Sequence, residues 1–352
     1  MSGFFDVDAL GVRVRVDLAE IGDEAQREQM RRSWSGAVCA DEGDPEANIT
    51  PVPGANFDAA MERTTIDVTL AALKAQSGRM LMFHAAGVAD DTGRVAAFIG
   101  PSGAGKTTLS GELGRHAGYV SDETIAIGRG LAVSPYRKPL SIVRPGAPKR
   151  QVSPADAGLQ HLPDAPLRLA SLVLMARDPD AETAEIEQVG LAEALPELVS
   201  QMSYLRDQER PLQAIAAVCD AVGGVRRLRY RDTSSVPALL PQLFASGAGN
   251  SCWAPAPDVA TTGPFHADDV LDALVVEHQV LVMTPDRVQV LDGIAPTIWL
   301  TATAGGDEDR IVRAVEAEFG PAPDSDSRAL VSAALDELVA VGVLGRRGGS
   351  GR

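Results

Sequence analysis

The sequence predicts an α/β protein in two parts, a domain with a mixed sheet followed by a small α+β domain. Three observations predict it. The run Gly100-Pro101-Ser102-Gly103-Ala104-Gly105-Lys106-Thr107 sits between an apolar strand pattern at 94–99 and a helical pattern at 107–115. A second strand pattern at 80–88 turns back through Asp90-Asp91-Thr92-Gly93 into the first, so an antiparallel hairpin enters the sheet. A stretch rich in Gly, Ala, Pro and Ser at 245–262 then separates a terminal segment of two strand patterns and three helical ones.

At 352 residues the chain exceeds one compact core. The expected division is a β-containing cap at 1–60, the mixed-sheet domain at 61–245, a linker at 246–264, the small domain at 265–345 and a disordered tail at 346–352. A net charge of −16 argues against nucleic-acid binding, which needs Lys and Arg to neutralise phosphates. From Phe265 onward, 7 Lys/Arg face 15 Asp/Glu, so half of the net charge lies on the last quarter. Three scattered cysteines form neither a disulfide framework nor a metal cluster. No basic-then-apolar leader and no apolar run of membrane-span length is present, so a cytoplasmic protein without a membrane partner is expected.

In chain order, residues 12–17 alternate strictly and read as a half-buried strand, residues 23–34 as polar and helical or irregular, and residues 41–56 as a loop. Residues 57–76 read as a helix with Ile66, Leu70 and Leu73 on one face and Gly78 as its C-cap. A short strand ends at Asp122-Glu123, a second follows at 124–127, and Pro135-Tyr136-Arg137-Lys138-Pro139 forms a basic turn. Residues 169–175 read as a buried strand, 191–205 and 211–222 as helices, 225–230 as a strand and 236–244 as a helix. Beyond the linker, strands are expected at 275–283 and 287–291, then helices at 295–302, 307–319 and 327–341.

The glycine-rich run fits the phosphate-loop pattern G-x-x-x-x-G-K-[ST] without a mismatch. Glycines let successive N–H groups turn inward around a phosphate at a helix N-terminus whose partial positive charge favours an anion. The nucleotide, ATP or GTP, is expected on Gly100, Pro101, Ser102, Gly103, Ala104, Gly105, Lys106, Thr107 and Thr108. Lys106 would reach the β- and γ-phosphates, and the Thr107 hydroxyl would ligand Mg²⁺.

Three further features can carry chemistry. Asp122 and Glu123 follow Lys106 by sixteen and seventeen residues. One carboxylate can ligand Mg²⁺ while the other takes a proton from an attacking hydroxyl, or the pair is a solvated acidic turn. His84, on the hairpin strand, is either a satisfied core residue or an active-site group. Arg137-Lys138 either faces phosphate oxygens or forms a basic surface turn.

Together, His84-Ala85-Ala86-Gly87, the phosphate loop and Asp122-Glu123 resemble the HPr kinase/phosphorylase family. In particular they resemble the HPr-kinase-related proteins found beside peptide-modifying genes, in a fold group that includes the phosphoenolpyruvate carboxykinases. The resemblance covers residues 68–140 and continues more loosely to 244. It implies a kinase in which Lys106 and Thr107 hold nucleotide and Mg²⁺. Asp122 and Glu123 would stand at the family's two catalytic, metal-binding aspartates, and His84 at its active-site histidine. Asp122 is then the expected base and Glu123 the metal ligand, although the two can exchange roles. Glu123 departs from the family's aspartate by one methylene, and the segment that docks HPr is not found, so the resemblance implies transfer to a peptide or protein hydroxyl, with HPr not the expected acceptor. HPr kinases assemble as oligomers, which makes a homo-oligomer an open expectation.

Residues 277–293 (EHQVLVMTPDRVQVLDG) followed by Ile298-Trp299 resemble PqqD, a winged-helix-like domain that captures leader peptides of ribosomally made, modified peptides. The resemblance covers 270–344 and implies that a leader peptide adds as a strand against residues 275–300. The ABC-transporter ATPases share the loop sequence. Here, though, the one Leu-Ser-Gly, Leu109-Ser110-Gly111, lies inside the loop's own helix, where it cannot act as their signature. The expected function is transfer of a γ-phosphate to a Ser or Thr hydroxyl of a small peptide or protein in modified-peptide biosynthesis. The alternatives are a nucleotide-gated peptide carrier and a small-molecule kinase.

Overall fold

The computed structural model describes residues 3–39, 42–53, 56–245, 247, 252–322 and 326–347. Its contacts divide the chain into two units. The first is Met1–Val189, Gln201–Gln208 and Ala221–Gly249, and the second is Gly190–Ser200, Glu209–Asp220 and Asn250–Arg352.

In the first unit, β1 (Phe4–Ala9) and β2 (Val12–Asp17) pair antiparallel, with Val7 opposite Val14. Leu10 and Gly11 both take positive φ in the turn, the geometry that matches strand twist in a two-residue hairpin. α1 (Glu24–Ser33) starts at Asp23, whose carboxylate accepts from the Ala25 and Gln26 amides, and β3 (Ala47–Ile49) extends the sheet beside β2. α2 (Phe57–Ala75) covers these strands. Its Met61, Val68, Ala72 and Leu73 share one core with Val7, Val14, Trp34 and Tyr136.

β4 (Leu81–Phe83), β5 (Ala85–Ala89) and β6 (Arg94–Ile99) follow, then α3 (Lys106–Leu113), β7 (Gly118–Ser121), β8 (Ile125–Ile127) and β9 (Val133–Ser134). A hairpin of β10 (Leu140–Arg144) and β11 (Ala147–Val152) packs on α2. β12 (Arg168–Arg177) and β13 (Glu185–Val189) come next. α4 (Leu191–Ser200) lies in the second unit, β14 (Met202–Ser203) returns to the first, and most of α5 (Pro211–Ala221) is again in the second. β15 (Val225–Tyr230) and α6 (Leu240–Phe244) complete the first unit.

The main sheet is mixed and runs β13-β15-β12-β6-β5-β7. β6, β12 and β15 are parallel to one another, while β5 is antiparallel to both β6 and β7. Phe98 and Val173 lie in its core with Leu109 and Leu113 of α3; burying each such side chain contributes about 1.5–3 kcal/mol. A second, antiparallel sheet runs β14-β4-β8-β9. The carboxyl ends of β6, β12 and β15 therefore share one edge, where α/β sheets place ligands.

The second unit has its own core. β16 (Trp253–Pro255), β18 (Asp272–Val276), β19 (Gln279–Met283) and β20 (Val288–Leu291) form one antiparallel sheet in that order, and β17 (Phe265–His266) pairs with β21 (Gly345–Arg346). α7 (Ala295–Thr303), α8 (Glu308–Phe319) and α9 (Ser327–Ala340) supply Ile298, Trp299, Ile311 and Leu335 to the core. α4 packs against β20.

Several local expectations need correction. Ile66 and Leu70 are 46% and 52% exposed, so α2 buries a different face from the one their spacing suggests. That face carries Thr64, Thr65 and Thr69, whose hydroxyls bond the carbonyls of Ala60, Met61 and Thr65 and thereby enter the interior satisfied. α4 stops at Ser200, because Met202 pairs with Phe83 of β4. Within the stretch read as linker, Trp253 pairs with Val276 and its Nε1 donates to Asp220 Oδ2 at 2.6 Å; residues 246 and 248–251 lie outside the described residues. The strand expected at 275–283 is two strands, since Glu277 adopts a left-handed φ of 54° and the chain reverses there. Arg346, expected in the tail, is strand, since Gly345–Arg346 pairs with Phe265–His266, and residues 348–352 lie outside the described residues.

Candidate functional site

The loop between β6 and α3 turns on two glycines. Gly103 and Gly105 have φ of +83° and +91°, and nothing stands within 4 Å of where a Cβ would be built on either. Open space at left-handed glycines is what a backbone cradle for an anion requires. Gly105 is the N-cap of α3, and Lys106 begins the helix. The Lys106 ammonium is drawn back onto the loop, donating to Gly100 O at 2.7 Å and Pro101 O at 3.0 Å. Burial pulls its pKa below the ordinary lysine value, with Glu123 and Asp122 opposing that shift.

The acidic turn follows β7. The Ser121 hydroxyl accepts from the Glu123 and Thr124 amides, each at 3.2 Å, and so shapes the turn that presents both carboxylates. Asp122 is 5% exposed, and its Oδ2 accepts from Thr107 Oγ1 at 3.0 Å. Its Oδ1 is buried without an aligned hydrogen bond among the described residues, 3.2 Å from Lys138 Nζ. Glu123, with a side chain 37% exposed, meets the same ammonium at 2.9 Å through Oε2. Burial by itself would depress the Lys138 pKa, but Asp122 and Glu123 outweigh it and hold the ammonium above the ordinary lysine range.

His84 sits where the chain leaves one sheet for the other. β4 belongs to the antiparallel sheet and β5 to the mixed one, and the His84 amide donates to Gln201 O at 2.6 Å between them. Its ring Nδ1 lies 3.0 Å from Glu123 O. A carbonyl can only accept, so Nδ1 carries the proton and the neutral ring leaves Nε2 as an acceptor. Burial, then Lys106, pushes the His84 pKa below the ordinary value.

One cavity of about 390 Å³ collects these groups. Ser102, Gly103, Gly105, Lys106, Thr107 and Thr108 form one wall, His84, Asp122, Glu123 and Lys138 another, and Glu62 and Ile66 of α2, Ser141 and Val143 of β10 and Lys149 of β11 complete the lining. Gly100, Pro101 and Ala104 belong to the loop but do not line this cavity. Arg137 and Lys138, adjacent in sequence, separate in space. Arg137 is buried and donates to Tyr119 O and Gln160 O, a structural role, whereas Lys138 faces the acids.

A second cavity of about 350 Å³ shares Gly105 and Thr108 with the first and adds Ala104, Arg177, Tyr230, Arg231, Asp232, Thr233 and Ser234. Sequence reasoning missed it, because these residues lie at the ends of β12 and β15 and form no motif. The available signal was position, at the carboxyl ends of strands parallel to the one that feeds the loop.

No protein-family model matches the chain, and no curated protein was found to be similar to it. Among solved structures, the HPr(Ser) kinase/phosphatase from Coxiella burnetii aligns over 46% of this chain and 92% of that one, at 15% identity and a TM-score of 0.25. A likeness at that score supports no argument. What stands on the geometry alone is a mixed α/β fold with a glycine loop, two acids and a histidine around one cavity. No described helix is long and apolar enough to cross a membrane.

Proposed function

We infer that the chain is a nucleotide- and Mg²⁺-dependent kinase that transfers a γ-phosphate to a Ser or Thr hydroxyl of a small peptide or protein. The observation that carries this reading is the hydrogen bond from Thr107, on the first turn after the glycine loop, to Asp122 in the cavity that also holds His84, Glu123 and Lys106.

The residues fit a hard divalent cation. Thr107 Oγ1 and the Asp122 carboxylate are oxygen donors, and the buried Asp122 Oδ1 lacks an aligned partner among the described residues. Among those residues no group of three His, Cys, Asp or Glu side chains forms a closed metal cage, as suits Mg²⁺ held by one or two carboxylates and phosphate oxygens. When bound, Mg²⁺ supplies neutralisation of the charge on the phosphate oxygens. The loop amides hold the phosphates, and Lys106 exchanges the Gly100 and Pro101 carbonyls for phosphate oxygens. Asp122, buried and bonded to Thr107, suits the metal side, and the more exposed Glu123 suits the base that takes the hydroxyl proton. This reverses the roles first expected of the pair. His84 Nε2 is an acceptor that can share that proton.

The second cavity suits the nucleoside. Guanidinium groups stack on aromatic bases, and Asp232, Thr233 and Ser234 offer hydrogen bonds to base or ribose. Capture of a leader peptide by residues 275–300 belongs to the same proposal; β20 ends its sheet order, and an edge strand can accept an added strand. The test is mass spectrometry of small peptides encoded beside the gene after incubation with the full-length protein, ATP and Mg²⁺. A gain of one phosphate that is lost with Glu123→Gln supports the reading. A peptide that binds but stays unmodified while ATP also binds would favour the gated carrier.

A further inference from the structure

A cation from outside the glycine loop reaches both acidic side chains. Lys138 Nζ lies 3.2 Å from Asp122 Oδ1 and 2.9 Å from Glu123 Oε2, and its side chain is 3% exposed. Its backbone is held from the preceding residues. The Tyr136 hydroxyl shares a 2.7 Å hydrogen bond with Thr69 Oγ1, and Arg137 is tied to Tyr119 O and Gln160 O. With Lys106 and Lys138 set against Asp122 and Glu123, and His84 neutral, the charges around the cavity cancel.

We propose that Lys138, anchored by Asp122 and Glu123, is an internal cation that keeps a divalent ion off Asp122 until nucleotide phosphates enter the cavity. Two observations carry this. The Lys138–Asp122 contact has no aligned hydrogen bond at Oδ1, so attraction between charges holds it and exchange for a metal forfeits no directional bond there. An ammonium within about 3 Å of a carboxylate oxygen also repels a divalent ion seeking the same oxygen, in a buried setting where screening is weak. Phosphates arriving beside Ser102 and Lys106 give Lys138 a second anionic partner and free the acids. Metal entry is thereby coupled to nucleotide entry. The proposal rests on the phosphotransfer reading for which groups hold the metal.

The test is Mn²⁺ titration of the full-length chain without nucleotide, read from the EPR signal of the free ion. The wild type is expected to bind more weakly than about 1 mM. Lys138→Met should bind at least about tenfold more tightly, and adding Asp122→Asn should erase the gain. Lys138→Arg keeps the charge and should behave as the wild type. Micromolar Mn²⁺ binding by the nucleotide-free wild type overturns the proposal, as does a folded Lys138→Met that gains nothing. If Lys138→Met does not fold, the wild-type titration decides alone. ATP binding by the wild type, measured separately, tests the phosphotransfer reading, so the two failures are distinguishable.

Discussion

Thr107 and Asp122 are joined by a 3.0 Å hydrogen bond that ties the first turn of α3 to the turn after β7. The bond fixes how the loop wall of the cavity meets the acidic wall. Thr107→Val keeps the shape but removes the donor. It should raise the Mg²⁺ concentration needed for half-maximal turnover by about 10- to 100-fold, while Thr107→Ser stays close to the wild type. Steady-state kinetics across a Mg²⁺ series reads the difference.

The two acids should separate by kinetic signature. Asp122→Asn is expected to raise the Mg²⁺ requirement about tenfold or more. Glu123→Gln should instead lower kcat by about 10²- to 10⁴-fold with little change in that requirement. Kinetics of the two variants with the opposite pattern would return the base to Asp122.

His84 makes stability depend on pH in a stated direction. Burial holds its folded pKa below the unfolded value of about 6.5, so folding favours the neutral ring. Well above pH 6.5 that preference costs nothing, because the ring is neutral in both states. As pH falls, the unfolded chain takes up the proton first, and stability is lost until pH has passed through the folded pKa. Melting temperatures from pH 7.5 to 5 should fall less steeply for His84→Gln than for the wild type; parallel slopes would remove His84 from the account.

Filling the second cavity should separate nucleoside from phosphate recognition. Ser234 is exposed on its wall, and Ser234→Trp should weaken ATP binding about tenfold or more while inorganic triphosphate binds as before. Calorimetry with both ligands reads this. Equal losses for both would mean that the substitution disturbed the loop itself.

Lys106→Ala should lower phosphotransfer by about 10²- to 10³-fold, the scale on which a single charge-stabilising donor acts. A radiolabelled-phosphate assay checks it, and full activity would remove Lys106 from the site.

What was legible in the sequence depended on contiguity. The glycine loop is one uninterrupted motif with a strand before it and a helix after it, and Asp122-Glu123 closes the next strand, so residue order by itself groups them. The antiparallel delivery of β6 was legible as well, because Asp90 to Gly93 is a strong turn signal. Lys138 stayed ambiguous because its partners lie in the turn after β7, sixteen and fifteen residues earlier, and its neighbour Arg137 turns the other way. On α2 the reading failed because buried threonines look polar in sequence, although their hydroxyls are satisfied by the preceding turn. At Glu277 it failed because a left-handed residue other than glycine or asparagine gives no compositional warning.

The interleaving of the second unit bears on how the chain matures during synthesis. α4 and most of α5 leave the ribosome well before β20, the strand on which α4 comes to pack. The side chains that α4 buries, Leu191, Ala194, Leu195 and Leu198, are apolar, and docking on β20 waits for the C-terminal tract. That delay makes assembly of this unit depend on a segment made late. It also means that a cut at residue 245 would strand both helices, so the C-terminal tract is not a detachable cassette.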